Sequence, residues 1–448
     1  MSFFKVSKFF LFLAPFAVIL VSVSTLFPFI VVKYSFFRAV VDLAWIFFLA
    51  GLIFGSGEET AAFKTKFLKL IKSPLFIAVS VFVLVFLLAC LFAFDSQLAF
   101  WSNFERGEGG FQILHFYLFF LLLLLVFENS KDWKKIFNLS LIAGTAMVSY
   151  GILAGLGIQG FVGPAFGSTA RFGGSLGNSA YVGAYLLFIL FYLFFVFGEK
   201  KAKISKIALV LLALFFFVFI WLAETRGPVL GLAAGFVAFA AYLIFNKNFK
   251  WRIYLAVGLA LFLILGFVLV YFHNSKFVAS LPGARLFNLS LTSSSFASRI
   301  WTWGSALAGF SERPILGWGP ENFSVVFDKY FNPKHFIPGE NSETWYDRAH
   351  DVFLDYLVET GFLGFLSYIL IFVVFYFEFF KGRIFEVLRN ESMVQNALFF
   401  ALPIAYLVQG VIIFDVLPIY LNLFLFLAFA VNQFGKQENN KKQITNHK

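Results

Sequence analysis

Cysteine is almost missing: Cys90 is the only one in 448 residues, so no intramolecular disulfide and no thiolate metal site can form. Charge is scarce as well, at 13% of residues against 60% hydrophobic. That balance excludes a soluble globule, whose interior is too small to hide so much apolar surface. Histidine occurs five times, with no HExxH and no His/carboxylate set at ligand spacing, so no metal is expected. The glycine-rich stretches GEGG at 107–110 and GGSLGN at 173–178 follow no strand and lack the Lys and Ser/Thr of a P-loop. They read as tight turns and close helix packing, and no nucleotide or other cofactor is expected.

What the chain does have is long apolar runs. A helix needs about 20 residues to cross the hydrocarbon core, and candidate spans lie near 11–32, 36–55, 74–94, 111–127, 136–158, 177–197, 206–223, 229–245, 251–272, 362–380, 394–413 and 416–434. The first follows Lys5 and Lys8 as a signal peptide would, but its length points to a retained anchor. Cytoplasmic loops collect Lys and Arg. If both ends are cytoplasmic, 23 of the 35 basic residues fall on that side. The net charge of +11 is therefore topological, and no nucleic-acid partner is expected. The expected fold is all-α and integral to the membrane, with about 12 transmembrane helices and a long extracytoplasmic loop between helices 9 and 10. One membrane domain at 1–435 precedes a polar tail at 436–448, read as disordered and cytoplasmic.

The long loop, about 273–351, is too long for a structureless connection and marks where chemistry belongs. Within it, SSSFASRIWTWGSALAGF predicts an amphipathic helix from near Ser298, with Arg299 in its first turn. The stretch YDRAHDVFLDYLVETG, from Tyr346 to Gly361, concentrates charge before an apolar span. Asp351, Asp355 and Glu359 recur four apart there, on a helix expected to lie at the membrane interface. His350 is the sharpest candidate, because neutral imidazole accepts a proton near neutral pH and a cation such as Arg348 favours the neutral form. His115, His273, His335 and His447 have no partners in sequence. Arg226 precedes Gly227 and Pro228 at a helix start, where guanidinium and free N–H groups meet the same anion. Arg299 offers the same combination, and two such places suggest a pyrophosphate. Arg106 and Arg171 are weaker anion contacts. A transporter is the alternative class, with Arg38 and Asp42, four apart in the second span, as the one close charge pair to begin a pathway.

Taken in order, TRGPVLGL, SRIWTWGSALAGFSERPILGWGPENF and RAHDVFLDYLVETGFLGFLSY resemble the O-antigen ligase and O-antigen polymerase superfamily, over roughly 206–380. The resemblance implies a metal-independent, inverting glycosyltransferase of the bacterial cytoplasmic (inner) membrane. Its donor would be a glycan on a polyprenyl diphosphate among membrane lipids, and its acceptor a hydroxyl of a glycan, glycolipid or protein. It implies activity at Arg226, Arg299 and His350, with His350 as general base and the arginines on the diphosphate. Arg348 and Asp351 are expected to take part in substrate binding. One departure is that the family usually has Asn where this chain has Asp351; an Asp there either orients His350 and raises its basicity or reflects a subgroup with another acceptor.

Overall fold

In lipid each backbone N–H and C=O must be satisfied within its own segment, and helices do this without a partner. The computed structural model describes residues 2–166, 168, 170–197, 203–288, 294–336, 344–381 and 393–446, and among these it is helical without strands. The basic runs at 198–202 and 382–392, and His447, lie outside them. Nine helices are long and apolar enough to cross a membrane among the described residues, and Gly110–Val126 and Lys206–Leu222 are shorter apolar helices. The chain is a multi-pass membrane protein.

The first expected span differs from its reading. Phe3–Leu13 is helical, but Pro15 follows and the chain tightens to a 3-10 helix, Ala14–Ile19. Proline has no N–H to continue the ladder. The buried Lys33 ammonium donates to the Leu20 carbonyl, one of the acceptors this break leaves free. A further helix, Gly57–Leu70, occupies what reads in sequence only as a basic loop. It buries nothing, and Ser56 caps it by accepting from the Glu59 N–H, with Glu58 and Glu59 in its first turn and Lys69 in its last. These charges oppose the helix dipole in the favourable sense. At the other end the helix Leu417–Asn446 runs on through the polar residues expected to lack order; no proline interrupts them.

Two units make up the chain: 1–143, 298–383 and 414–448 form the first, and 144–297 and 384–413 the second. The long loop is thus shared, with 298–351 in the first unit. Aromatic packing holds the first unit together. Phe37 meets Phe116 and Phe119, Phe116 stacks on Phe424, and Phe82 meets Tyr356 and Tyr368. Such pairs add about 0.5–1.5 kcal/mol each beyond area burial. In the second unit small residues allow close helix approach. A Cβ on Gly231 of Arg226–Phe245 would sit 2.6 Å from the Ala405 carbonyl of Met393–Gly410. Arg252–Tyr271 is among the most apolar helices yet none of it is buried in the protein, as a lipid-facing helix requires.

Loop residues 298–351 build a small core with the helix Val352–Glu359 that follows them. Ala306, Trp318, Phe323, Val326, Phe327, Tyr346, Ala349 and Val358 pack together, with Trp303 against them. The amphipathic helix expected from near Ser298 runs Ser294–Glu312. Ala306 and Trp303 face this core, whereas Ile300 and Leu307 are exposed. PILGWGPENF follows as a turn zipped to the next helix end. Trp318 N–H donates to Val358 O at 2.9 Å, Gly319 N–H to Glu359 O at 2.8 Å, and Phe362 N–H to Pro314 O at 2.8 Å. Gly317 adopts φ +70, and a Cβ there would lie 2.5 Å from the Glu359 backbone, so this seam needs glycine.

Candidate functional site

His350 sits at the mouth of Val352–Glu359 in the left-handed region, φ 57. That conformation costs a non-glycine residue about 1–2 kcal/mol, and the neighbours hold it. The Ala349 N–H donates to Asp355 Oδ1 at 2.6 Å, and the Ala349 carbonyl accepts from Trp303 Nε1 at 3.0 Å. The imidazole stands edge-on to Tyr346 and Phe414, with centroids 5.3 and 5.1 Å away. Its Nδ1 lies 3.2 Å from the Arg348 carbonyl. A carbonyl only accepts, so Nδ1 carries the proton and Nε2 keeps its lone pair. Burial, then the nearby charges of Arg299 and Arg106, pull the imidazole down to about 4, against the Arg348 carbonyl and Asp347, which act the other way.

The charges of Arg299 and Arg106 both act on His350. Arg299 is half-buried, and its charge acts on both His350 and Asp351. Arg106 makes a two-pronged pair with Asp347, Nε to Oδ2 at 2.6 Å and Nη2 to Oδ1 at 2.9 Å, and its guanidinium lies over the Phe414 ring.

Asp351 caps a helix. Its Oδ1 accepts from the N–H groups of Phe353 at 2.8 Å and Leu354 at 3.0 Å, which makes it the N-cap of Val352–Glu359. Burial raises its carboxyl to about 6, against those two bonds and Arg299.

Arg348 is enclosed. It is buried, with Nη1 on Glu359 Oε1 at 2.6 Å, Nη2 on Glu321, and Glu108 Oε2 at 3.8 Å. The helix expected at the membrane interface therefore turns its acids inward: Asp355 and Glu359 are buried and face this guanidinium. A charge lowered into the interior needs a hydrogen-bonded counter-charge, and Arg348 supplies it to several carboxylates at once. A narrow cavity of about 20 Å³ beside the cluster is lined by Glu108, Arg348, Asp355, Glu359, Asp415 and Tyr420 among others. Burial pushes Glu108 up to about 8 and raises Asp355 and Glu359 too. Burial thus works against ionisation of these acids, and the Arg348 charge works for it.

Glu108 and Glu321 escaped the sequence reading. Both lie in glycine-rich turns read as backbone features, and nothing in the spacing ties either to Arg348. His335 escaped it too: Ser298 Oγ links its Nδ1 at 3.1 Å to the Tyr346 hydroxyl at 2.7 Å, and Tyr346 backs His350. Arg38 and Asp42 each have another hydrogen-bond partner: Arg38 donates to Gln112 Oε1 at 2.6 Å and to the Gly107 carbonyl at 2.8 Å, while Asp42 meets His115 Nε2 at 3.1 Å.

Arg226 and Arg171 belong to the second unit. Arg226 opens Arg226–Phe245 as expected, and its N-cap residue Thr225 makes no side-chain cap. The Thr225 hydroxyl donates instead to the Ala223 carbonyl at 2.9 Å, so the first-turn N–H groups are left uncapped by a side chain. Arg171 Nη1 reaches Thr225 Oγ1 at 3.5 Å.

The family model described as O-antigen ligase matches residues 211–369, a stretch that holds Arg226, Arg299, Arg348, His350 and Asp351. No curated protein matches the chain. The chain is thus a multi-pass membrane protein whose residues 211–369 are similar to the O-antigen ligase family.

Proposed function

We propose that the chain is a membrane glycosyltransferase that moves a glycan from a polyprenyl-diphosphate carrier to an acceptor hydroxyl, on the outer face of the bacterial cytoplasmic membrane. Both termini are cytoplasmic in this reading, with about 12 crossings. His350 is the general base, and Arg226 and Arg299 bind the diphosphate. Asp351 and Arg348 act on substrate through the backbone they hold around His350, and Arg106 through Asp347.

The observation that carries this reading is the state of His350. Its imidazole is kept neutral, its Nε2 lone pair is free of the backbone, and Arg299 is close by, all inside the matched stretch. In the reaction Nε2 takes the acceptor hydroxyl proton as that oxygen attacks the anomeric carbon. The bond from that carbon to the diphosphate oxygen breaks, with inversion, and the leaving diphosphate is stabilised by guanidinium charge. A base near 4 is weak, but the bound diphosphate offsets the Arg299 charge that depresses it. Donor binding therefore raises the basicity of His350 when it is needed.

The test is transfer by the purified protein in lipid vesicles, supplied with a polyprenyl-diphosphate glycan and an acceptor. His350→Ala should bind donor but not transfer it; full transfer by that variant would falsify the role. Surface glycans of a deletion strain separate the two acceptor classes. Short lipid-linked glycans indicate a polymerase, and complete polymer left unattached indicates a ligase.

A further inference from the structure

The helix Gly57–Leu70 is too short and too charged to cross a bilayer: its 14 residues, which include Glu58, Glu59, Lys64, Lys66 and Lys69, reach only about 21 Å. Its contacts tie it to the ends of two apolar helices instead. Lys66 Nζ donates to Leu125 O at 2.9 Å and to Phe127 O at 2.8 Å, at the C-terminus of Gly110–Val126. Thr60 Oγ1 donates to Leu52 O at 3.4 Å, in the last turn of Val31–Phe54. The last carbonyls of a helix have no intrahelical donor, and those of an apolar helix emerge where the hydrocarbon ends. All these residues belong to the first unit, so Gly57–Leu70 lies along that boundary.

The two sides of the helix differ. Thr60, Phe63, Lys66 and Leu70, three or four apart, are partly covered, with the Phe63 ring 4.3 Å from that of Phe4 and 5.3 Å from that of Phe48. On the uncovered side Phe67, Leu68 and the C-cap residue Ile71 are exposed, and their spacing makes one strip of them. Lys64 and Lys72 stand one turn to either side of Leu68 and are exposed as well. Among the described residues Lys64, Lys69 and Lys72 enter no ion pair. The acids Glu58 and Glu59 sit in the first turn, at the opposite end from Lys69 and Lys72. An apolar strip fringed by lysines at the edge of the hydrocarbon complements a bilayer surface of negative charge. The apolar side chains enter the acyl boundary, and the lysine stems lie along it with their ammonium groups among the headgroups.

We propose that residues 57–72 form a docking surface for anionic phospholipid, with Phe67, Leu68 and Ile71 in the acyl boundary and Lys64 and Lys72 on the headgroups. No part of the transfer reading is needed for it. The test uses the full chain carrying Cys90→Ala and Leu68→Cys, labelled at position 68 with a polarity-sensitive dye. The protein is placed in vesicles of phosphatidylcholine, alone or mixed with phosphatidylglycerol, that contain a nitroxide lipid quenching from the acyl boundary. Quenching should be stronger with phosphatidylglycerol and should fall as salt is raised, because salt screens the attraction. Lys64→Gln and Lys72→Gln should each lower the ratio of docked to undocked helix about fivefold, the scale of one lysine at an anionic surface. Both positions are exposed, so an unchanged melting curve shows that the variants are folded, and the salt response reads the same attraction with both lysines in place. Equal quenching in the two lipid mixtures overturns the proposal in favour of an apolar wedge indifferent to headgroup. Quenching by aqueous iodide in both mixtures, with none from the nitroxide lipid, overturns it in favour of a surface left open for a protein. Unchanged docking in the Lys64→Gln, Lys72→Gln double variant sinks it too.

Discussion

Arg348 and the trio of Arg171, Arg226 and Arg285 are the same side chain in opposite settings. Arg348 is buried, with carboxylates on both sides of its fork. The trio is reached by solvent, with one acid acting on Arg171 alone and hydroxyl or carbonyl contacts at 3.4 Å or more. A guanidinium satisfied by the protein has no valence left for a ligand and serves the fold. Sequence treats both as arginines near helix starts, and the difference lies in what the tertiary structure brings to them.

The sharpest way to break the contrast is Arg348→Ala. Removing the cation leaves the buried Glu321 carboxylate without its counter-charge and Glu359 without its hydrogen-bond donor, which costs about 3–5 kcal/mol. Arg285→Ala, at an exposed site, should stay within about 0.5 kcal/mol. Unfolding of the detergent-solubilised variants measures both. A stable Arg348→Ala protein would mean that the acids simply take up protons, and the contrast would fail.

His350→Asn comes next, since Asn tolerates the left-handed backbone better than Ala. Transfer should fall by about 10²–10⁴, the usual share of a general base, with melting unchanged. The wild-type pH profile sharpens the assignment. Because the imidazole of the free enzyme is depressed to about 4, the acid limb of kcat/KM should lie near there and not near 6.5. The limb of kcat, which reports the donor complex, should lie higher. An acid limb of kcat/KM near 6.5 would rule out this setting for the base.

A smaller effect concerns the acids around Arg348. Glu108 holds its proton more tightly folded than unfolded, being raised to about 8 by burial. The folded state therefore gains stability that is full below the ordinary carboxylate range and lost as pH rises towards 8. Melting temperature should decline from pH 5 to pH 9, and less steeply in Glu108→Gln. Equal slopes would place the linkage on Asp355 and Glu359 instead.

Legibility followed the range of the interactions. Apolar runs and helix-end residues act locally, so the all-helical, multi-pass character, the helix bearing Arg299 and the charged approach to Gly361 could be read from sequence. The broken first span was missed because Pro15 sits inside a run that satisfies hydropathy while violating the hydrogen-bond ladder. The Arg348 cage was missed because its members come from positions 108, 321, 348 and 359, and no local pattern links residues so far apart. His335 was dismissed for want of sequence partners, yet its partner Ser298 is 37 residues away.

The smallest expected effect falls on the residue that departs from the resembled family. Asp351 was read as an orienter of His350, but its bonds go to the Phe353 and Leu354 N–H groups at a helix start. Asn and Asp cap helices about equally well, whereas Ala at a cap costs about 0.5–2 kcal/mol. Asp351→Asn should therefore leave both melting and transfer within a few-fold of wild type, while Asp351→Ala lowers stability by about 1 kcal/mol and loosens the backbone that presents His350. Because burial holds the Asp351 carboxyl near 6, the Asn variant should also differ most from wild type above that pH, where it lacks the negative charge beside Arg299. Loss of transfer in Asp351→Asn with melting intact would show that the carboxylate itself takes part in the chemistry, and the cap would then be its secondary role.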